Sequence, residues 1–190
     1  MVPRTEALLA ILNRPLDYLH PHRGGLPAPL ATPAAQAVLN RMLLSGWGIT
    51  CPDLQQIEFN RWSDLWVAHW RRLPAIASLM GAQLMWAQLA RGGRSRELNL
   101  SLKAFARVDL GSRTPIAANE EVGLEESLSA VGLGALMAWS GYIPKALMQR
   151  LPLQFSPRVV ELQQGTPVQV PNSSLFILAV QHARIHQNLG

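Results

Sequence analysis

Along most of the chain apolar residues recur at spacings of three and four, and they almost never alternate with polar ones. That periodicity predicts helices and almost no strands. The start and stop signals divide it into elements. Thr5 is placed to cap a first helix that runs to about Asn13 and is closed by Pro15. Residues 15–33 hold five prolines and the Gly24–Gly25 pair and read as a loop. Thr32 then caps a helix with Pro33 in its first position, running to about Leu44 or Ser45 and stopped near Gly46 and Gly48. Asp53 can cap a short element toward Phe59, and Ser63 a helix through Trp70 or Leu73. Pro74 opens a long helix to Arg91, before Gly92 and Gly93, and a basic helix follows over about 96–108.

After a break over 111–118, Asn119 caps a long helix through Ser140, with Glu120 and Glu121 in its first turn, where the helix dipole favours acids. Residues 131–155, VGLGALMAWSGYIPKALMQRLPLQF, read as an apolar helix, a Gly-Tyr-Ile-Pro break and a short helix over 144–151. Gly132, Gly134 and Ala135 are small among bulky neighbours, so this helix can approach another closely. Three prolines and Gly165 fall in 156–173, which reads as a loop holding a turn of helix over 158–163 and a short extended piece over 167–170. Asn172 or Ser173 caps a last helix to about Gln187. The pattern as a whole predicts an all-α fold: one compact, irregular domain over 1–190, of about eight helices joined by Pro/Gly-rich loops.

Composition narrows the picture. Hydrophobic residues make up 48% of the 190 and charged residues 15%, enough for a sizeable core and a surface partly covered by partners. Uncharged runs at 74–90 and 127–144 approach the length of a membrane span. Gln83 and Gln88 in the first, and serines and glycines in the second, fit buried bundle helices better. The start of the chain lacks the basic opening and long apolar core of a signal peptide. A lone cysteine, Cys51, excludes an intrachain disulfide or a Cys-based metal cluster and fits a reducing cytosol. The net charge of +5 favours an acidic partner, and 15 of its 17 cations are Arg. GC-rich coding accounts for that bias at least as well as Arg-mediated recognition does.

Candidate chemistry is sparse. No Ser sits in a nucleophile elbow and no carboxylate pair has catalytic spacing, so no catalytic residue, cofactor or metal site is expected. His182 and His186 stand at i, i+4, but Ala183 occupies the place of a zinc-protease glutamate, and a solvent-facing helix is the simpler reading. Trp62, Trp66 and Trp70 recur every fourth residue, as a core stripe does, although tryptophan also marks interface hot spots. The one charge asymmetry that stands out lies in 91–113. Arg91, Arg94, Arg96, Lys103, Arg107 and Arg113 face only Glu97 and Asp109 there. An acidic patch follows in Glu120, Glu121, Glu125 and Glu126. These two patches are the candidate partner-binding surfaces. Charge alone would also allow a basic helical nucleic-acid-binding or regulatory module, but no helix-turn-helix or interleaved aromatics support it, so nucleic acid is not expected.

Residues 132–153, an apolar helix, a Pro-containing break and a helix ending in Arg-Leu-Pro-Leu, resemble the C-terminal block of the SctK family (YscK, PscK, MxiK, OrgA and HrpD-like proteins). Residues 16–27 (LDYLHPHRGGLP) and 79–93 (LMGAQLMWAQLARGG) agree more loosely, and the match fades beyond Pro157. The resemblance implies a non-enzymatic adaptor of the type III secretion sorting platform. Such an adaptor is cytoplasmic, at the cytosolic face of the inner membrane. It links the forkhead-associated-like domain of the ring protein SctD to the pod protein SctQ, and through SctQ reaches SctL and the ATPase SctN. The family pattern names no individual binding residue.

Overall fold

A computed structural model describes residues 4–24, 32–54, 57–110 and 122–186. In chain order the α-helices are α1 Arg4–Asn13, α2 Pro33–Gly46, α3 Arg61–Ala68, α4 Leu73–Leu84, α5 Trp86–Arg91, α6 Leu100–Ala106, α7 Leu124–Met137, α8 Lys145–Arg150, α9 Pro157–Gln164 and α10 Ser173–His186. Short 3₁₀ turns fill several joints, and no strand occurs among the described residues. The fold is all-α, with ten α-helices among the described residues where about eight helices were expected. None of them is long and apolar enough to cross a membrane.

Two compact units emerge, each assembled from two pieces of chain: Met1–Arg71 with Ser140–Pro157, and Arg72–Trp139 with Arg158–Gly190. In the first unit α1 packs on α3, α8 and the 3₁₀ turn Pro15–Asp17, and α2 packs on the same turn. Thr32 caps α2 as expected, its hydroxyl accepting the Ala35 N–H at 3.3 Å. The cap of α3 is Asn60, however, and Ser63 is its reciprocal partner. Asn60 Oδ1 accepts the Trp62 and Ser63 N–H groups, while the Asn60 N–H donates to Ser63 Oγ at 2.8 Å. Asn60 Nδ2 also donates to the Tyr142 carbonyl at 2.6 Å, tying the start of α3 to the Gly-Tyr-Ile-Pro break. Trp66 and Trp70 are buried, with Tyr18 edge-on to Trp70 at 5.4 Å, whereas Trp62 is half-buried beneath the Arg61 guanidinium. The tryptophan stripe is therefore core at two of its three positions.

The second unit is built on the antiparallel pair α4 and α7. Nine of the twelve residues of α4 are buried, and so is the run 130–136 of α7. Glycine sets the distance between them. A Cβ on Gly81 would stand 2.0 Å from the Leu128 carbonyl oxygen, and one on Gly132 would stand 1.8 Å from that of Ala77. The two contacts are reciprocal, each one helical turn from the other on both helices, so backbone touches backbone where side chains would hold the helices apart. Ser78 and Ser129 add a hydroxyl–hydroxyl hydrogen bond of 3.3 Å between the same helices. Against α4 lie α6 and α10, and Phe176 of α10 meets the Trp139 ring at 5.5 Å.

Three boundaries differ from expectation. The helix expected over 74–91 is interrupted at Met85, where ψ is −2° and Gln88 donates to the Met85 carbonyl in an i+3 bond, a local tightening that no glycine or proline announces. Arg94–Arg96 forms its own 3₁₀ turn after Gly93 (φ +72°), so α6 starts at Leu100, capped by Asn99 through the Leu102 N–H. The cap of α10 is as expected: of Asn172 and Ser173 it is Asn172, which accepts the Leu175 N–H at 2.9 Å. Two full turns of helix, α9, replace the single turn expected near 158–163. The expectations at Asn119, over 111–118 and at Gln187 lie outside the described residues, as does part of the short element after Asp53.

Candidate functional site

The most unusual side chain is Arg150, the last residue of α8. It is wholly buried, at 0% exposure, and no described carboxylate pairs with it. Instead its guanidinium is enclosed by carbonyls. Nε and Nη2 both donate to the Leu12 carbonyl, at 3.1 and 3.0 Å; Nη1 donates to Ala146 at 2.9 Å and Nη2 to Thr50 at 3.3 Å. Leu12 lies in the last turn of α1, whose carbonyls have no intrahelical donor and carry the negative end of the helix dipole. The cation thus neutralises a helix C-terminus from inside the protein. Tyr18 satisfies the preceding carbonyl, donating from its hydroxyl to Ile11 at 2.8 Å. Burial, foremost, pushes the Tyr18 hydroxyl pKa far above its usual value, with Cys51 and Asp17 adding and Arg150 opposing, so the phenol stays a neutral donor.

The same unit brings together stretches that are far apart in sequence. His20 N–H donates to the Leu153 carbonyl at 2.9 Å, and Arg23 Nε to the Phe155 carbonyl at 2.7 Å. The segment LDYLHPHR therefore lies along the Arg-Leu-Pro-Leu-Gln-Phe run, so the first stretch that carries the family resemblance packs on the C-terminal end of the last. Partial burial, then the neighbouring His22 and Arg23, hold the His20 imidazole below its ordinary pKa, and its Nδ1 accepts the His22 N–H at 3.1 Å. Sequence reading assigned Arg150, Tyr18 and Asn60 no role. An arginine inside an otherwise apolar run was the one available signal.

The charged residues expected to bind partners, where described, all fall in the second unit. Arg91 closes α5, exposed, with Nε on the Ala87 carbonyl at 3.0 Å. Arg94 is half-buried and pairs with Glu97 at 3.5 Å, so it is partly spent internally. Arg96 is exposed, and the Arg107 guanidinium stacks over the Trp86 ring at 5.6 Å. In α6 the positions Leu100, Lys103, Ala104 and Arg107 share one face by helical spacing, and Leu100 is 86% exposed. The structure therefore adds an exposed leucine to the basic patch. Glu125 and Glu126 sit in the first turn of α7, where the dipole holds them favourably. Glu120, Glu121 and Arg113 lie outside the described residues.

His182 does not face solvent as expected. It is half-buried, with Nε2 2.9 Å from Ser101 Oγ and its ring against Phe105, so it packs α10 on α6. Among the described residues no group of three His, Cys, Asp or Glu side chains could hold a metal ion.

Comparison with known proteins places this geometry. The family described as "Bacterial type III secretion apparatus protein (OrgA_MxiK)" matches residues 8–185. The match includes α9 and α10, so the similarity does not fade at Pro157 as the sequence suggested. The chain is 32% identical over 179 residues to the "Oxygen-regulated invasion protein OrgA" of Salmonella typhimurium in strains LT2, SL1344 and 14028s, covering 94% of this chain and 87% of each relative. No solved structure gives a significant match.

Proposed function

This chain belongs to the OrgA_MxiK family of bacterial type III secretion apparatus proteins, and we propose that within that apparatus it is a non-enzymatic adaptor linking the inner-membrane ring protein SctD to the pod protein SctQ. Through SctQ it connects to SctL and the ATPase SctN, and it works at the cytosolic face of the inner membrane through these partners. The observation that supports this reading is a set of surface charges not consumed within the protein. Arg96 and Lys103 on one side, and Glu125 and Glu126 on the other, make no ion pair with any described residue. Leu100, exposed at the start of α6, adds an apolar side chain to the face that carries Lys103. Exposed charge of one sign around an apolar anchor is the arrangement by which interfaces select a complementary protein partner.

The deciding experiment is a pull-down of the purified chain against the cytosolic domain of SctD and against SctQ. Both should bind. Arg96→Glu with Lys103→Glu should weaken one partner, and Glu125→Lys with Glu126→Lys the other, each by about tenfold. Binding to neither partner sinks the adaptor reading. A complex with DNA or RNA in a low-salt gel shift, steeply lost as salt rises, would favour the nucleic-acid module instead.

A further inference from the structure

We propose that the groove between the C-terminal end of α1, one face of α2 and the segment 48–51 is an anion site that takes a polyphosphate ester of the nucleoside di- or triphosphate class. It encloses about 950 Å³, within the size range of small-molecule sites. All of its lining belongs to the first unit, so it shares no residue with the charged patches of the second. The inference stands apart from the adaptor reading.

The wall of the groove follows from helix geometry. The α2 residues in the lining run from Pro33 to Ser45 and recur at the three- and four-residue spacing of one helix face, which borders the groove over about 18 Å. Two side-chain hydrogen bonds close it against α1. Asn40 Oδ1 accepts the Leu16 N–H at 3.0 Å, and the Cys51 thiol donates to Asn13 Oδ1 at 3.3 Å. The Arg41 turn of α2 and the Cys51 segment are thus both held against the stretch that contains Arg14.

Charge selects the occupant. Arg14 and Arg41 line the groove, both exposed, and neither pairs with a described carboxylate. A third cation lies beneath the wall. The wholly buried Arg150 guanidinium donates to the Thr50 carbonyl at 3.3 Å and to Cys51 Sγ at 3.6 Å, and Thr50 and Cys51 both line the groove. Its carbonyl partners offer only partial charges, so a full positive charge remains under the surface, in surroundings that screen it less than water does. The one acid in the lining, Asp17, is engaged by Arg71 at 3.6 Å. Three guanidinium groups with no available carboxylate call for a compact anion of multiple charge, which a polyphosphate is and a single carboxylate is not. Guanidinium forks also match the geometry of phosphate oxygens. The uncharged remainder of the groove, from Pro33 to Ala37 and at Leu44 and Ile49, takes the uncharged part of the ligand. With no free acid to hold a divalent cation, the groove reads the phosphates bare.

Cys51 makes the test specific to this site, because it is the chain's one thiol and is exposed in the lining. The measurement is the rate at which N-ethylmaleimide, an uncharged reagent, modifies it in the full chain at low salt without magnesium, with ATP, pyrophosphate or adenosine added. ATP and pyrophosphate should slow the reaction saturably and adenosine should not. Excess magnesium should raise the ATP concentration required. Arg14→Ala and Arg41→Ala should each raise it about tenfold, while Arg96→Ala leaves it unchanged. Both groove arginines are exposed, so circular dichroism should match wild type. Absence of any protection, or protection that both groove variants keep in full, overturns the proposal. So does ATP that binds in calorimetry without protecting Cys51, since the anion then sits elsewhere. Protection by a glutamate-rich peptide but by neither phosphate probe assigns the groove to an acidic protein segment, and equally overturns it. None of these outcomes bears on binding to SctD or SctQ.

Discussion

At the scale of single residues, Arg150 shows how a charge is tolerated in a protein core without a counter-ion. A guanidinium offers five donors in a fixed plane, and four of the hydrogen bonds found here end on backbone carbonyls, two of them on Leu12. The buried Leu12 carbonyl, in the last turn of α1, would otherwise be left with only the Cys51 thiol at 3.6 Å. Lysine retains the charge but not the fork. Arg150→Lys should therefore cost about 2 kcal/mol, and Arg150→Ala about 2 to 4 kcal/mol, because the buried Leu12 carbonyl loses its guanidinium donors. Urea denaturation measures both, and a lysine variant as stable as wild type would show that charge alone suffices. The role could not be read from sequence, since Arg150 and Leu12 are 138 positions apart. By contrast, Thr32 was legible because a cap is a local matter of three residues.

Among the elements, helix existence was legible and helix continuity less so. Apolar periodicity runs straight through Met85, so it gave no warning that α4 and α5 are separate. The small residues Gly132 and Gly134 suggested close packing, and only the structure distinguishes them. A Cβ on Gly132 meets the rigid backbone of Ala77, whereas one on Gly134 meets the ends of the Gln169 and Thr166 side chains, both at 3.1 Å. Gly132→Ala must push α4 and α7 apart and should cost about 3 kcal/mol or more. Gly134→Ala needs only side-chain movement, offset in part by alanine's better helix propensity, and should change stability by less than about 1 kcal/mol. Thermal melts of the two variants make the comparison, and equal losses would refute the backbone contact as the determinant. The basic patch was visible as composition. Its exposed Leu100 was not, because a leucine in a helix ordinarily signals core.

At the scale of the whole molecule, the chain crosses from one unit to the other three times, at 71/72, 139/140 and 157/158. Neither unit is a contiguous piece that could be excised. The expectation of a single domain over 1–190 is retained as a proposal on this connectivity. It predicts one calorimetric unfolding transition with equal van't Hoff and calorimetric enthalpies. Two resolved transitions would refute it. The carbonyl cage around Arg150 also has a consequence for synthesis on the ribosome. Leu12 emerges early, and its buried donor follows 138 residues later, a delay of roughly 7 to 28 s at about 5–20 residues per second. Throughout that interval the Leu12 carbonyl lacks its guanidinium donor, so the C-terminal end of α1 is completed only when α8 arrives.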